Sequence, residues 1–146
     1  MKADLTIYLA GAMCGISHEE QKRWRKKLKT ALENCSYMCE KRINIISPVD
    51  YYNFEEKLQQ SEREVMQFDL NMVKKSDIVI VNTDKLNTSI GSSIELYEAF
   101  KSDIPVIAYN FVSDCTYIHP WLKCCITRTE KSIDDICNYI MNFYLT

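Results

Sequence analysis

The chain has little of what metal, redox or phosphate-loop chemistry ordinarily draws on. It holds only two histidines, His18 and His119, and its seven cysteines include no CxxC pair. That composition argues against a zinc site, and the cysteines read as reduced, mostly buried thiols rather than a disulfide framework. No cofactor is expected. Its three glycines build neither GxGxxG nor GxxxxGK[ST], which argues against an ordinary dinucleotide fold and against a P-loop enzyme. No stretch approaches ~20 consecutive apolar residues, so no membrane span is expected. Residues 5–10 are apolar, but the run is too short for the core of a signal peptide, and a cytoplasmic location is the expectation. Net charge is -2 with no basic stripe, which excludes a nucleic-acid polymer as the expected partner. The densest basic run, Lys22-Arg23-Trp24-Arg25-Lys26-Lys27, lies in a helical pattern after Glu19 and Glu20 and reads as a solvated helix face.

What is present suits one domain. The chain has 146 residues, 47% of them hydrophobic, enough for a core without metals or disulfides. No repeat, linker or internal boundary divides residues 1–146. Strand and helix patterns alternate. A buried strand over residues 4–10 ends at Ala10-Gly11. Ser17-His18-Glu19-Glu20 is a capping box that opens a helix to about Glu33. Ile43-Asn44-Ile45-Ile46 is a second strand, stopped by Ser47-Pro48. A helix over residues 59–75 carries the apolar stripe Val65, Phe68, Met72 and Val73. Ile78-Val79-Ile80-Val81 is a third strand, apolar on both faces. A helix from about Ser92 to Lys101 precedes a fourth strand over residues 105–109. Residues 124–127 are a candidate fifth strand, and a helix from about Ser132 closes the chain. The alternation implies an α/β fold with a mostly parallel sheet and helices on both faces. Ligands of such sheets bind at the carboxyl ends of the strands, which directs attention to residues 11–16, 47–54, 82–92 and 110–120.

The stretch Asn87-Thr88-Ser89-Ile90-Gly91-Ser92-Ser93-Ile94-Glu95 is the most informative. Gly91 permits close approach of a ligand or a positive φ. Ser89, Ser92 and Ser93 set hydroxyls around a helix N-terminus, where free N–H groups and the dipole favour an anion. Glu95, in or just after the first turn, would be kept ionised by that dipole. A carboxylate nucleophile suits sugar C1 chemistry, in which it meets an oxocarbenium ion and forms a covalent glycosyl-enzyme. A glutamate that merely complements the dipole is the other reading.

Asp69 ends an otherwise apolar helix face. An acid near the cleft could protonate or hydrogen-bond a departing base, or it could be an ordinary helix-face carboxylate. Asp77, just before the third strand, has a turn role. Tyr8 could orient the nucleophilic carboxylate through its hydroxyl or serve as a core tyrosine. Gly11 and Ala12 would leave room for a flat base or a sugar, with Met13 as an apolar wall. Asp50 and Tyr51 are candidates to touch the base, and Asn82 to face the sugar. Glu98 reads as exposed, and His119-Pro120-Trp121 as a packed turn or a lid.

Together these segments resemble the nucleoside 2-deoxyribosyltransferase superfamily. The resemblance rests on Ile7-Tyr8-Leu9-Ala10-Gly11, on Ser47-Pro48-Val49-Asp50-Tyr51, on Asp69 through Val81 and on Ser89 through Leu96. It covers most of residues 5–110 and fades after Phe111. It implies a flavodoxin-like (Rossmann-like) three-layer sandwich with a five-stranded sheet, and a retaining mechanism without a cofactor. It assigns Glu95 as nucleophile, Tyr8 as the tyrosine that positions it, Asp69 as the aspartate that handles the base, and residues 47–54 to the base pocket. It also implies a homodimer or higher homo-oligomer, with residues 111–122 as the segment a neighbouring subunit would donate.

The chain departs from the family's transferases at one position. They carry an aspartate six residues before the nucleophile, and Ser89 stands there in this sequence. A carboxylate would repel a 5′-phosphate, while a hydroxyl at a helix N-terminus would bind one. Ser89 is thus similar to the branch that hydrolyses nucleoside 5′-monophosphates. The expected substrate is a deoxynucleoside 5′-monophosphate, its sugar passed to water or to another base. Three alternatives remain: a transferase acting on free nucleosides, a glycohydrolase of NAD or another nucleotide signal, and a nucleotide-binding module without catalysis.

Overall fold

The computed structural model of the chain describes residues 2–51, 58–110 and 117–146. Residues 52–54 of the second expected ligand loop, and 111–116 of the fourth loop and donor segment, lie outside the described residues.

Five strands carry the architecture: β1 (Leu5–Ala10), β2 (Ile43–Ile46), β3 (Ile78–Asn82), β4 (Val106–Tyr109) and β5 (Arg128–Thr129). Among the described residues six helices accompany them: α1 (His18–Cys39), α2 (Pro48–Tyr51), α3 (Glu62–Lys74), α4 (Ile90–Lys101), α5 (Pro120–Cys124) and α6 (Ile133–Phe143). A 3₁₀ turn, Leu86–Thr88, leads into α4. The strands form one sheet in the order β2-β1-β3-β4-β5, parallel throughout. Tyr8 registers with Val79 and Ala10 with Val81, so the ends of β1 and β3 finish side by side.

Strand alternation sorts the core into two layers. Leu5, Ile7 and Leu9 of β1, with Ile78, Ile80 and Ile107, pack against α1 and α6 through Leu28, Leu32, Ile136 and Ile140. Tyr8 and Ala10 point the other way, with Val79, Val81, Val106 and Ala108, and meet Val73 of α3 and Leu96 and Ala99 of α4. All of these side chains are essentially buried. Each fully buried Leu or Ile is worth ~1.5–3 kcal/mol in removal from water.

Serine caps set four helix starts. Ser17, Ser61, Ser89 and Ser132 each accept a hydrogen bond from the backbone N–H three residues on. Asp77 holds β1 to β3 at their starts, its carboxylate accepting from the Thr6 N–H at 2.8 Å.

Two elements differ from expectation. Helix α1 continues to Cys39 rather than ending near Glu33, because Leu32 and Cys35 prolong its buried face. It stops at Glu40, whose φ of 54° is left-handed. The stretch expected as a fifth strand begins inside α5, and β5 starts only at Arg128. His119 and Pro120 explain the helix. The His119 Nδ1 accepts from the Trp121 N–H at 3.1 Å, and proline fits the first helical position. The cysteines also differ: Cys35 and Cys137 are buried, but Cys14 and Cys124 lie in exposed loop and helix-end positions.

Candidate active site

A cleft of about 400 Å³ opens beyond the carboxyl ends of β1 and β2, between α3 and the start of α4. Tyr8 reaches it from beneath. Strand alternation turns Tyr8 toward α4, and its hydroxyl donates a hydrogen bond to Glu95. The two are separated by 87 residues in sequence, so only the fold brings them together. Burial and the neighbouring Glu95, Asp69 and Tyr51 push the Tyr8 phenol far up, so it stays a neutral donor. Glu95 lines the cleft and keeps partial exposure there. Burial raises its carboxyl to about 7; the Tyr8 hydrogen bond opposes the rise, Asp69 adds to it and Arg25 opposes it.

This corrects the expectation that the α4 dipole holds Glu95 firmly ionised. Helix α4 begins at Ile90, so Glu95 lies beyond its first turn, where the dipole has weakened, and desolvation prevails.

Asp69 faces the same cleft from α3 and accepts a hydrogen bond from the Tyr51 hydroxyl at 2.6 Å. The Tyr51 ring meets Phe68 edge-on at 5.2 Å, which steadies its hydroxyl. Tyr8, Asp69, Tyr51 and Glu95 therefore converge from β1, α3, α2 and α4. Apolar walls come from Met13, Pro48, Val65, Met66, Leu70 and Ile94.

The start of α4 forms the other end of the cleft. The Ser89 hydroxyl accepts from the Ser92 N–H at 3.3 Å, while its own hydrogen is left to donate. The Ser93 hydroxyl donates to the Ser89 carbonyl at 2.7 Å, and the Ser92 side chain is buried. Gly91 is helical, without a positive φ, and open space surrounds its Cβ position. Of its two expected uses, close ligand approach is the one the backbone allows.

Other expected residues are placed differently. Gly11 borders the cleft, but the space beside it is filled by protein: a Cβ there would lie 2.6 Å from Trp24 Cζ2. Ala12 is buried outside the cleft lining. Asp50 is exposed and pairs with Lys29 at 3.7 Å. The Asn82 side chain turns back to accept from the Asp84 N–H at 3.0 Å, so it shapes its own loop. Glu98 is buried rather than exposed. Burial alone would raise its carboxyl, but Lys101 and Lys74, at 3.0 and 3.5 Å, outweigh that and hold it low. Trp121 is 82% exposed, which removes the packed-turn reading of His119-Pro120-Trp121.

The basic run yields the main surprise. Arg25 is only 2% exposed and Trp24 9%, while Lys22, Arg23, Lys26 and Lys27 are exposed. Arg25 stacks over Trp24 at 4.3 Å and donates to the Gln21 and Gly11 carbonyls at 3.0 and 3.3 Å. The signal was in the spacing: Gln21, Trp24, Arg25, Leu28 and Leu32 recur as one helical face, and all are buried. Among the described residues no group of three or more His, Cys, Asp or Glu is arranged to hold a metal ion.

The model of the family described as nucleoside 2-deoxyribosyltransferase matches residues 7–135, a span that includes Tyr8, Asp69 and Glu95. No curated protein matches the chain. Solved structures share its fold. A conserved protein from Enterococcus faecalis V583 superposes with a TM-score of 0.76 at 18% identity, covering 94% of this chain and 98% of that one. The 2-deoxyribosyltransferase of Bacillus psychrosaccharolyticus gives 0.69 at 21% identity, over 92% and 91% of the two chains. The CMP N-glycosidase of Clostridium botulinum gives 0.56 at 13% identity, over 94% and 98%.

Proposed function

The chain belongs to the nucleoside 2-deoxyribosyltransferase family, and on that premise we propose that it cleaves the N-glycosidic bond of a deoxynucleoside 5′-monophosphate through a covalent sugar intermediate on Glu95. The observation that carries this reading is the hydrogen bond from Tyr8 to Glu95 on the floor of a cleft that Asp69 also faces. The Glu95 carboxylate attacks the anomeric carbon as the bond to the base breaks, and the bonding pair leaves with the base. Asp69, fixed by Tyr51, protonates or hydrogen-bonds the departing base. Tyr8 holds the attacking oxygen in line. Water or a second base then attacks the same carbon, and Glu95 leaves as a carboxylate. Two displacements at one carbon retain its configuration.

The 5′-phosphate is assigned to the start of α4. There the Ser89 hydroxyl can donate, and Gly91 leaves the free N–H groups of the first turn uncovered. One observation favours a second reading, in which the substrate is a free nucleoside. The cleft lining includes the carboxylates of Glu62, Asp69 and Glu95, and its one described cation, Arg25, is buried. Among the described residues a phosphate at the start of α4 would be held by neutral groups.

The deciding experiment offers the four deoxynucleoside 5′-monophosphates and the matching nucleosides, with and without an acceptor base, and follows products by chromatography. Free base and deoxyribose 5-phosphate, formed from nucleotides alone, are expected, and Glu95→Ala should abolish them. A new nucleoside appearing only with an acceptor would transfer the assignment to a free-nucleoside transferase. Full turnover by Glu95→Ala would remove Glu95 as nucleophile.

A second copy of the chain is the proposed partner, seated on the outer face of α4 and α5. A groove of about 800 Å³ runs there beside the exposed Ile90, Tyr97, Phe100 and Trp121. Among the described residues none that lines this groove is charged. A two-fold interface sets the same patch on both sides, which suits an uncharged surface and would penalise a charged one. Ser89, Ile90 and Ile94 line both groove and cleft, so this partner would stand at the edge of the active site.

A further inference from the structure

We propose that Arg25 is a positioning residue for the nucleophile, a fixed cation in the wall of the cleft that Glu95 also lines, which keeps Glu95 ionised as substrate displaces water. The inference rests on the reading of Glu95 as nucleophile and concerns a residue outside the Tyr8, Asp69 and Glu95 set.

The geometry is that of a charge held for use at a distance. The guanidinium is almost wholly buried, and both of its Nη atoms are tethered to backbone carbonyls, one of them Gly11 at the end of β1. Its Nε has no hydrogen-bond partner. Among the described residues no carboxylate lies within ion-pair distance of it. A buried cation without a direct counter-ion has given up hydration that no ion pair replaces, so Arg25 is destabilising taken by itself. Its surroundings are nevertheless acidic. Burial lowers Arg25 to about 10, and Glu95, Tyr8, Asp50 and Tyr51 pull it back up. It stays charged at neutral pH.

Two groups support the Glu95 charge: first the Tyr8 hydrogen bond, then Arg25, the one positive charge among the described residues that line the cleft with Glu95. From β1 comes the neutral phenol of Tyr8 and from α3 the carboxylate of Asp69, which disfavours a second negative charge. Glu62, also on α3, adds a carboxylate to the cleft lining, and Cys14 a thiol. The lysines Lys74 on α3 and Lys101 on α4 are committed to Glu98. The 3₁₀ turn and its approach bring Asp84 and Lys85, and α5 brings His119 and Lys123; none of these four lines the cleft. When substrate fills the cleft, the local dielectric falls and water no longer supports the Glu95 charge. A cation already fixed in the protein needs no rearrangement at that moment. A guanidinium tethered by two carbonyls keeps its place better than a lysine would.

The test is the titration of Glu95 itself, followed by carboxyl carbon NMR in the full chain labelled with ¹³C-glutamate and assigned with Glu95→Gln. Arg25→Met replaces the buried cation with an apolar chain of similar length, and Arg25→Gln is the second variant. In either, the Glu95 midpoint is expected to rise, by up to about one unit, and the acid limb of kcat/KM to move with it. Arg25→Lys should restore much of the difference. A folded Arg25→Met or Arg25→Gln with an unmoved midpoint would overturn the proposal and leave Arg25 as a clamp between α1 and the β1 end. Failure of both charge-removing variants to fold would overturn it likewise, by assigning Arg25 to the fold. The titration needs no turnover. Absence of any glycosidic cleavage by the unaltered protein would therefore count against the proposed function and leave the Arg25 result readable.

Discussion

At the residue scale the site is governed by one buried carboxyl. Glu95 must be ionised to attack, and burial has moved its midpoint from 4.5 to about 7. The acid limb of kcat/KM is therefore expected near pH 7, well above that of an ordinary glutamate; a limb near pH 4.5 would show that the carboxyl is solvated. The same shift has a sign for stability. Between pH 4.5 and about 7 the folded state holds a proton that the unfolded chain has lost, so stability falls as pH rises across that window and remains lower above it. The loss is on the order of 3 kcal/mol. Glu95→Gln removes the ionisation, and Tyr8 can still donate to the amide oxygen. Its Tm should exceed that of the unaltered protein at pH 8, with the gap closing toward pH 4.5; a gap independent of pH would point to packing instead. Ser89 allows an equally clean change, because aspartate also caps a helix and the start of α4 should survive. Ser89→Asp is expected to lower the nucleotide-to-nucleoside ratio of kcat/KM by roughly tenfold or more, through like-charge repulsion of the phosphate. An unchanged ratio would separate Ser89 from the phosphate.

At the scale of elements, the site depends on how closely α1 lies over the end of β1. Gly11 makes that contact possible, since a methyl group there would meet the Trp24 ring at 2.6 Å and crowd Arg25 at 3.4 Å. Gly11→Ala should cost roughly 1–3 kcal/mol in urea unfolding and lower turnover as the loop shifts. Near-neutral stability would mean that Trp24 moves aside easily. This contact also marks the boundary of what the sequence disclosed. Strands β1, β3 and β4 were legible because each is a short apolar run, and a parallel strand buried on both faces leaves that trace; the edge strand β2 was legible from its isoleucines and the Ser47-Pro48 stop. The serine caps were legible because capping is local. Tyr8, Asp69 and Glu95 could be singled out by type and place, but their convergence belongs to the fold. Arg25 was hidden by composition: amid four exposed basic residues its charge suggested solvent, although its spacing from Gln21, Leu28 and Leu32 put it inside. Glu98 was misread for a similar reason, since one of its two lysines comes from another helix. Strand β5 has two residues, both exposed, and leaves no hydrophobic pattern to read.

At the scale of the whole molecule, the two faces of the sheet are finished unequally. On one side α1 and α6 close over Ile7, Leu9, Ile80 and Ile107. On the other, α4 buries Leu96 and Ala99 but turns Ile90, Tyr97 and Phe100 outward, and α5 adds Trp121. Exposed large apolar residues scattered singly need no explanation, but here they gather around one groove whose described lining is uncharged. The α5 end of that groove is held in place. Asn87 donates to the Tyr117 carbonyl at 2.6 Å and accepts from the His119 N–H at 2.8 Å, tying the approach to α5 onto the 3₁₀ turn before α4. A rigid apolar surface at the edge of the active site favours a specific partner over chance adhesion. If that partner is a second copy, Trp121→Glu sets two like charges facing each other across the two-fold axis or close to it. The expected outcome is a shift from dimer to monomer in light scattering after size exclusion, at unchanged helix content. Because Ser89 and Ile94 line both groove and cleft, KM should rise as the partner leaves, while the Glu95 midpoint should change little. A monomeric mass for the unaltered protein across micromolar concentrations would dismiss the second copy as occupant. A dimer that persists in Trp121→Glu would place the interface elsewhere.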